Sequence, residues 1–203
     1  MKSEIAVIGC GRIGSVHARA ITETLPMVDL VCADVEPNRA IDLANRVGAH
    51  AVDIADIWDL PSLRAVAICS STTTHVDYIC AAAEASVAVF CEKPVSLDLD
   101  EVDRAVRAVT DSDIPFMVGF HKRFDPTHQA TKQAVVDGRV GDVHLLRITT
   151  RDPQPPPLDY IAVSGGIFLD MTIHDFDMAR FLVDSPVQEI FARGAVLIDP
   201  QIE

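Results

Sequence analysis

Ile5-Ala6-Val7-Ile8-Gly9-Cys10-Gly11-Arg12-Ile13-Gly14 decides the reading of the fold. Four apolar residues in a row read as a strand buried on both faces, because a strand with one wet face would alternate. The run enters a G-x-G-x-x-G hexapeptide, and residues 13–24 then continue with helical periodicity. The hexapeptide alone is a weak signal; a strand before it and a helix after it make it informative. Gly9 permits the tight turn, Gly11 lets backbone approach a pyrophosphate, and Gly14 lets helix pack close on strand. The helix N-terminus then offers the phosphates free N–H groups and the positive end of its dipole, with Arg12 and Ile13 in the first turn.

Twenty residues past Gly14, at the end of the second apolar run, stands Asp34. It is placed to accept hydrogen bonds from an adenosine ribose. A carboxylate there repels a 2′-phosphate, and Val35-Glu36 supplies no cation to offset it, so NAD is favoured over NADP. The plainer alternative is a glycine turn that only joins strand to helix.

Outward from this stretch, short apolar runs at 5–9, 29–33, 65–69, 87–91 and 116–120, with a weaker one at 50–53, alternate with helical patterns at 13–24, 37–47, 75–85 and 99–110. Gly48 closes the second helix, and Ser96 and Asp98 are cap candidates for the fourth. The repeated β-α unit predicts an α/β fold, a doubly wound parallel sheet over residues 1–120. From 121 to 203 the pattern becomes a helix at 126–137, a strand at 143–150, a proline-rich loop at 152–157, a helix at 167–183 and a strand at 187–197. This predicts the start of a second, α+β domain with too few strands for an independent sheet.

Composition narrows the function classes. The 203 residues carry a formal charge of −13, with 49% hydrophobic and 23% charged residues. Such a surface repels phosphate backbones and anionic lipid, so nucleic acid and membranes are not the expected partners. No stretch of 18 apolar residues is uninterrupted, and Glu4 with the glycines spoils any signal-peptide reading at the start; a cytoplasmic chain is expected. The five cysteines, at 10, 32, 69, 80 and 91, form no C-x-x-C pair and read as reduced core thiols.

Candidate site residues gather at the predicted carboxyl edge of the sheet, where open α/β sheets bind ligands. The hydroxyl-rich Ser70-Ser71-Thr72-Thr73-Thr74, followed by His75, is either a cofactor loop or ordinary helix capping. Glu92 and Lys93 end the fifth strand, and Pro94 restrains the Lys93 backbone. In the apolar helix at 167–183, Asp170, His174 and Asp177 fall at i, i+4 and i+7 and form one polar stripe. Asp170 one turn before His174 is suited to hold the imidazole's tautomer for general-base work, although a satisfied core histidine fits the helix as well. His121, Asp170 and His174 could supply metal donors, but no tight ligand motif appears and no metal is expected.

Taken together, Gly9-x-Gly11-x-x-Gly14, Cys91-Glu92-Lys93-Pro94, Val118-Gly119-Phe120-His121-Lys122-Arg123-Phe124-Asp125 and Gly165-Gly166-Ile167-Phe168-Leu169-Asp170-Met171-Thr172-Ile173-His174-Asp175 resemble the Gfo/Idh/MocA oxidoreductases. Arg151-Asp152-Pro153 with its proline run, and Ser164-Gly165-Gly166, look like the inositol 2-dehydrogenase branch. The resemblance implies NAD-dependent oxidation of a ring hydroxyl of myo-inositol to 2-keto-myo-inositol. It further implies Lys93 as catalytic lysine, Asp170 as substrate-binding acid, His174 as acid/base, and cofactor contacts at Gly9, Gly11, Arg12, Ile13, Gly14, Asp34, Ser70, Ser71, Thr72, His75, Glu92 and Lys93. His121-Lys122-Arg123 departs from the Asn or Met followed by Arg-Arg of many relatives and leaves the preferred polyol open. The family continues into a large C-terminal sheet that mediates homo-oligomers, usually tetramers. The chain therefore reads as truncated, with an unpaired edge and exposed apolar surface, and a non-catalytic dinucleotide-binding fragment is the rival expectation.

Overall fold

The computed structural model describes residues 2–197 and 199, and the chain divides into two compact units, Met1–Gly119 and Phe120–Glu203. The first unit is built on six strands: β1 (Glu4–Ile8), β2 (Asp29–Ala33), β3 (His50–Ala51), β4 (Leu63–Ile68), β5 (Ala88–Cys91) and β6 (Phe116–Val118). All pair in parallel, in the order β3-β2-β1-β4-β5-β6. The order reverses between β1 and β4, and that switch point opens the crevice in which doubly wound folds bind ligands.

Unbroken apolar strands are the natural outcome of two covered faces. Ala6 and Ile8 of β1 face a core completed by Val76 and Ile79 of α3 (Thr72–Glu84) and Ala105 and Val109 of α4 (Leu99–Asp111). Val7, one residue out of phase, faces Ala18 of α1 (Arg12–Thr24) and Leu43 of α2 (Pro37–Val47). The helix punctuation follows the sequence. Pro37 opens α2, Gly48 closes it in the left-handed conformation, and the Asp98 carboxylate accepts the Asp100 N–H at 2.8 Å at the start of α4. One departure bears on the site: α3 begins at Thr72 rather than 75, so most of the expected hydroxyl-rich loop is a helix's first turn.

The described part of the second unit is helical. A 3-10 turn (His121–Phe124) leads into α5 (Pro126–Val136), capped by Asp125, followed by α6 (Leu158–Ser164), α7 (Gly166–Asp170) and α8 (Ile173–Val183). The strands expected at 143–150 and 187–197 are not formed. A strand requires a paired neighbour, none of the described residues pairs with either segment, and Leu145, Phe191 and Leu197 remain 82%, 89% and 90% exposed. The helix expected at 167–183 is broken at Met171 and Thr172. The Thr172 N–H reaches the Ile167 carbonyl, five residues back, at 2.9 Å, and its hydroxyl bonds the same carbonyl at 3.2 Å, which ends α7. The expectation of a buried helix also fails, since Ile167, Phe168 and Phe176 are each more than half exposed.

Candidate functional site

The end of β1 and the end of β4 are pressed together at the switch point. Gly9 has φ +94°, and a Cβ there would lie 2.5 Å from the Ser70 backbone nitrogen, so any side chain would force the two strand ends apart. Beyond it, Gly11 holds the N-cap position of α1, and no side chain caps the helix's first turn. Its leading N–H groups are therefore left for a ligand. A Cβ at Gly11 would meet no atom within 4 Å, so backbone there is open to close approach, with Arg12 and Ile13 exposed on the turn.

Asp34 does more than its position in the sequence indicated. It is 8% exposed; one carboxylate oxygen accepts the Cys10 N–H at 2.6 Å and the other the Glu36 N–H at 2.9 Å. The acid thus braces the glycine turn from behind while standing at the edge where a ribose would lie.

Across the crevice, the Ser70 and Thr74 hydroxyls bond at 2.8 Å, and Thr74 donates to the Ser71 carbonyl at 2.8 Å. Ser71 holds the N-cap position of α3 and Thr72 its first turn. His75 is 1% exposed, with Nδ1 2.9 Å from the Pro94 carbonyl oxygen and Nε2 3.1 Å from that of Ser70. Burial holds its pKa down against the pull of those two carbonyls and of Glu92. A neutral imidazole donates through one nitrogen only, so His75 serves one carbonyl at a time. The expectation that it lines the cofactor site is corrected to this extent: it is buried behind the crevice, within reach of a carbonyl on each wall.

Glu92 and Lys93 stand at the end of β5, on the same carboxyl edge, before a cis Lys93–Pro94 peptide. Glu92 accepts from His17 Nε2 on α1 at 2.7 Å and from the Lys93 backbone N–H at 3.2 Å. Burial alone would raise the Glu92 carboxyl, but the His17 hydrogen bond and charge, with Lys93, outweigh it and hold the group below the usual carboxylate range.

Asp170 and His174 belong to the second unit. Asp170 closes α7 and accepts the Tyr160 hydroxyl at 2.8 Å, whereas His174 lies in the first turn of α8, its ring 4.6 Å from that of His121 and 6.3 Å from that of Phe120. They do not share one helical turn as expected. Asp177, the third member of the expected stripe, is held by Arg123 through contacts of 2.6–3.1 Å, and Asp175 takes Lys122 and the Thr150 hydroxyl, each at 2.8 Å. Among the described residues, no three His, Cys, Asp or Glu side chains converge on a possible metal position.

His17 and Tyr160 were missed by sequence reasoning. Each pairs with a residue that was singled out, but the only sign available was a polar side chain on an otherwise partly apolar helix.

The first unit is thus a doubly wound dinucleotide-binding unit with an acid behind its glycine turn and a lysine on the same edge. The chain belongs to the GFO/IDH/MocA oxidoreductase family: residues 3–120 match its NAD-binding Rossmann fold and residues 128–203 its C-terminal domain. It is 47% identical over 204 residues to the myo-inositol 2-dehydrogenase of Thermotoga maritima, covering 98% of this chain and 60% of that protein. Among solved structures, a myo-inositol dehydrogenase from Corynebacterium glutamicum superposes with a TM-score of 0.92 at 42% identity, covering 100% of this chain and 61% of that one. A scyllo-inositol dehydrogenase from Lactobacillus casei with bound NAD(H) and scyllo-inositol gives 0.79 at 29% identity, covering 91% and 57%. The chain therefore spans about three-fifths of the length of these relatives.

Proposed function

We propose that this chain is the cofactor-binding part of an NAD-dependent dehydrogenase that oxidises a ring hydroxyl of myo-inositol to 2-keto-myo-inositol. The observation that carries the reading is the shared sheet edge: the Asp34-braced glycine turn and Lys93 end strands of one parallel sheet. The residues fit the dinucleotide, because Gly11 leaves open space, the first turn of α1 is uncapped, and Asp34 presents a carboxylate that disfavours a 2′-phosphate. NAD supplies the hydride acceptor when bound. The chain's own groups supply the rest. Gly9, Gly11, Arg12, Ile13 and Gly14 offer the phosphates the backbone of the turn, with Ser70, Ser71 and Thr72 opposite. The Lys93 ammonium stabilises the developing alkoxide, His174 takes the hydroxyl proton on its imidazole, and Asp170 binds a polyol hydroxyl. A homo-oligomer in the cytoplasm is part of the same proposal; among the described residues no helix is long and apolar enough to cross a membrane.

The test is NADH formation with NAD and myo-inositol, with scyllo-inositol and glucose as competitors for the assignment, alongside NADH binding by fluorescence. Myo-inositol-dependent reduction supports the reading, and preference for another polyol changes the substrate. Binding without any oxidation confines this chain to cofactor capture, and absence of binding overturns the proposal.

A further inference from the structure

We infer that His17 is a positioning residue for Lys93, acting through the Glu92 carboxylate and linking the helix that starts at the glycine turn to the lysine at the end of β5. The inference rests on the function proposed above. An ionised carboxylate only accepts hydrogen bonds, so at 2.7 Å from Glu92 Oε1 it is His17 Nε2 that carries the proton. The imidazole leans on Phe90, with ring centroids 4.8 Å apart, which fixes its plane. The other Glu92 oxygen takes the Lys93 N–H at 3.2 Å, and the carbonyl of Pro94, one residue on, meets His75 Nδ1 at 2.9 Å. The Lys93 N–H is thereby tied to His17 through Glu92, and His75 lies against the carbonyl of the residue that follows. Movement of α1 is passed to the lysine through one carboxylate.

The pair is only partly wet, with side-chain exposures of 25% for His17 and 16% for Glu92, so it is weakly screened. The charged and titratable groups around Glu92 are His17 from α1, Lys93 beside it, Cys69 at the end of β4, Cys91 of β5 and His75 of α3. Burial pushes both thiols up and keeps them neutral, and it pushes His75 down. That leaves the His17 hydrogen bond and charge, with Lys93, opposing the burial of Glu92. In H17A the burial goes largely unopposed, so Glu92 titrates at higher pH and its grip on the Lys93 N–H loosens as pH falls. H17Q restores a donor of similar reach without the charge.

The experiment compares the wild-type chain with H17A and H17Q by three readouts. These are the 13C carboxyl titration of Glu92, assigned by its loss in E92Q; hydrogen exchange at the Lys93 amide; and kcat and KM for NAD. Expected in H17A are a carboxyl titration moved to higher pH, Lys93 exchange faster by about tenfold, and kcat lower by about 10- to 100-fold with its acid limb shifted upward and KM little changed. H17Q should recover most of the exchange protection and of kcat. A Glu92 titration or Lys93 exchange rate unchanged in H17A overturns the inference. If both move while the wild-type chain binds no NADH, the positioning stands and the proposed function falls.

Discussion

Replacing Asp34 by alanine tests whether the acid braces the glycine turn as well as facing a ribose. Two hydrogen bonds disappear, and they are not equivalent. Glu36 is exposed, so its N–H turns to water at little cost, whereas Cys10 is 5% exposed and its N–H, bonded at 2.6 Å, would be left buried and unpaired. Losing a hydrogen bond to a charged acceptor at such a site costs about 1.5–3 kcal/mol. In a unit of this size roughly 4 °C of Tm corresponds to each kcal/mol, so D34A should melt about 6–12 °C lower. D34N keeps an oxygen for the Cys10 N–H but loses the charge and the acceptor for the exposed Glu36 N–H, and should fall about half as far. The chain's single tryptophan, Trp58, packs against the core of the first unit, so its fluorescence during thermal unfolding reports on that unit alone. NADH titration of the same proteins should show weaker binding in the order wild type, D34N, D34A. A D34A protein that melts with the wild type would refute the brace, and one that also binds NADH normally would remove Asp34 from the cofactor site.

Other perturbations separate the remaining parts. In G14A the new Cβ would fall within the van der Waals shell of the Gly9 carbonyl oxygen, so NADH binding and thermal stability should drop together; unchanged binding would show that the turn is not the phosphate site. K93A and H174A should each lower kcat by about 100-fold or more while NADH binding stays within about twofold, and retained turnover in either removes that residue from the chemistry. Burial, with the Glu92 charge behind it, pushes the Cys69 thiol up to about 12, so below that pH it stays protonated. Ellman's reagent at about pH 8 should leave Cys69 and Cys91 unmodified until the chain unfolds, and prompt reaction of either would contradict their burial.

The first unit was legible because its signals are local. Apolar runs without alternation, glycine punctuation and Asp98 as a cap each act over a few residues, and the strands and helices fall within a few residues of their expected bounds. What escaped was pairing at a distance. Nothing near His17 points to Glu92, and nothing near Tyr160 points to Asp170, because a hydrogen bond between side chains leaves no periodicity in the chain. The second unit shows the opposite failure. The runs at 143–150 and 187–197 have strand composition, but composition supplies no partner, and the described chain pairs neither. At 167–183 helical propensity is present throughout, yet the Thr172 hydroxyl and N–H divert the Ile167 carbonyl and stop the helix just after Asp170.

The sheet order also sets a timetable for synthesis. Ile8 is paired with Ile68, and the Gly9 turn is backed by Ser70, so the nucleotide crevice is made from one strand and another that is synthesised much later. Until β4 emerges, β1 has β2 on one side and an open row of backbone donors and acceptors on the other. A chain that carries only the glycine motif therefore lacks half of the crevice, and the wall is closed only when residues 63–70 are in place.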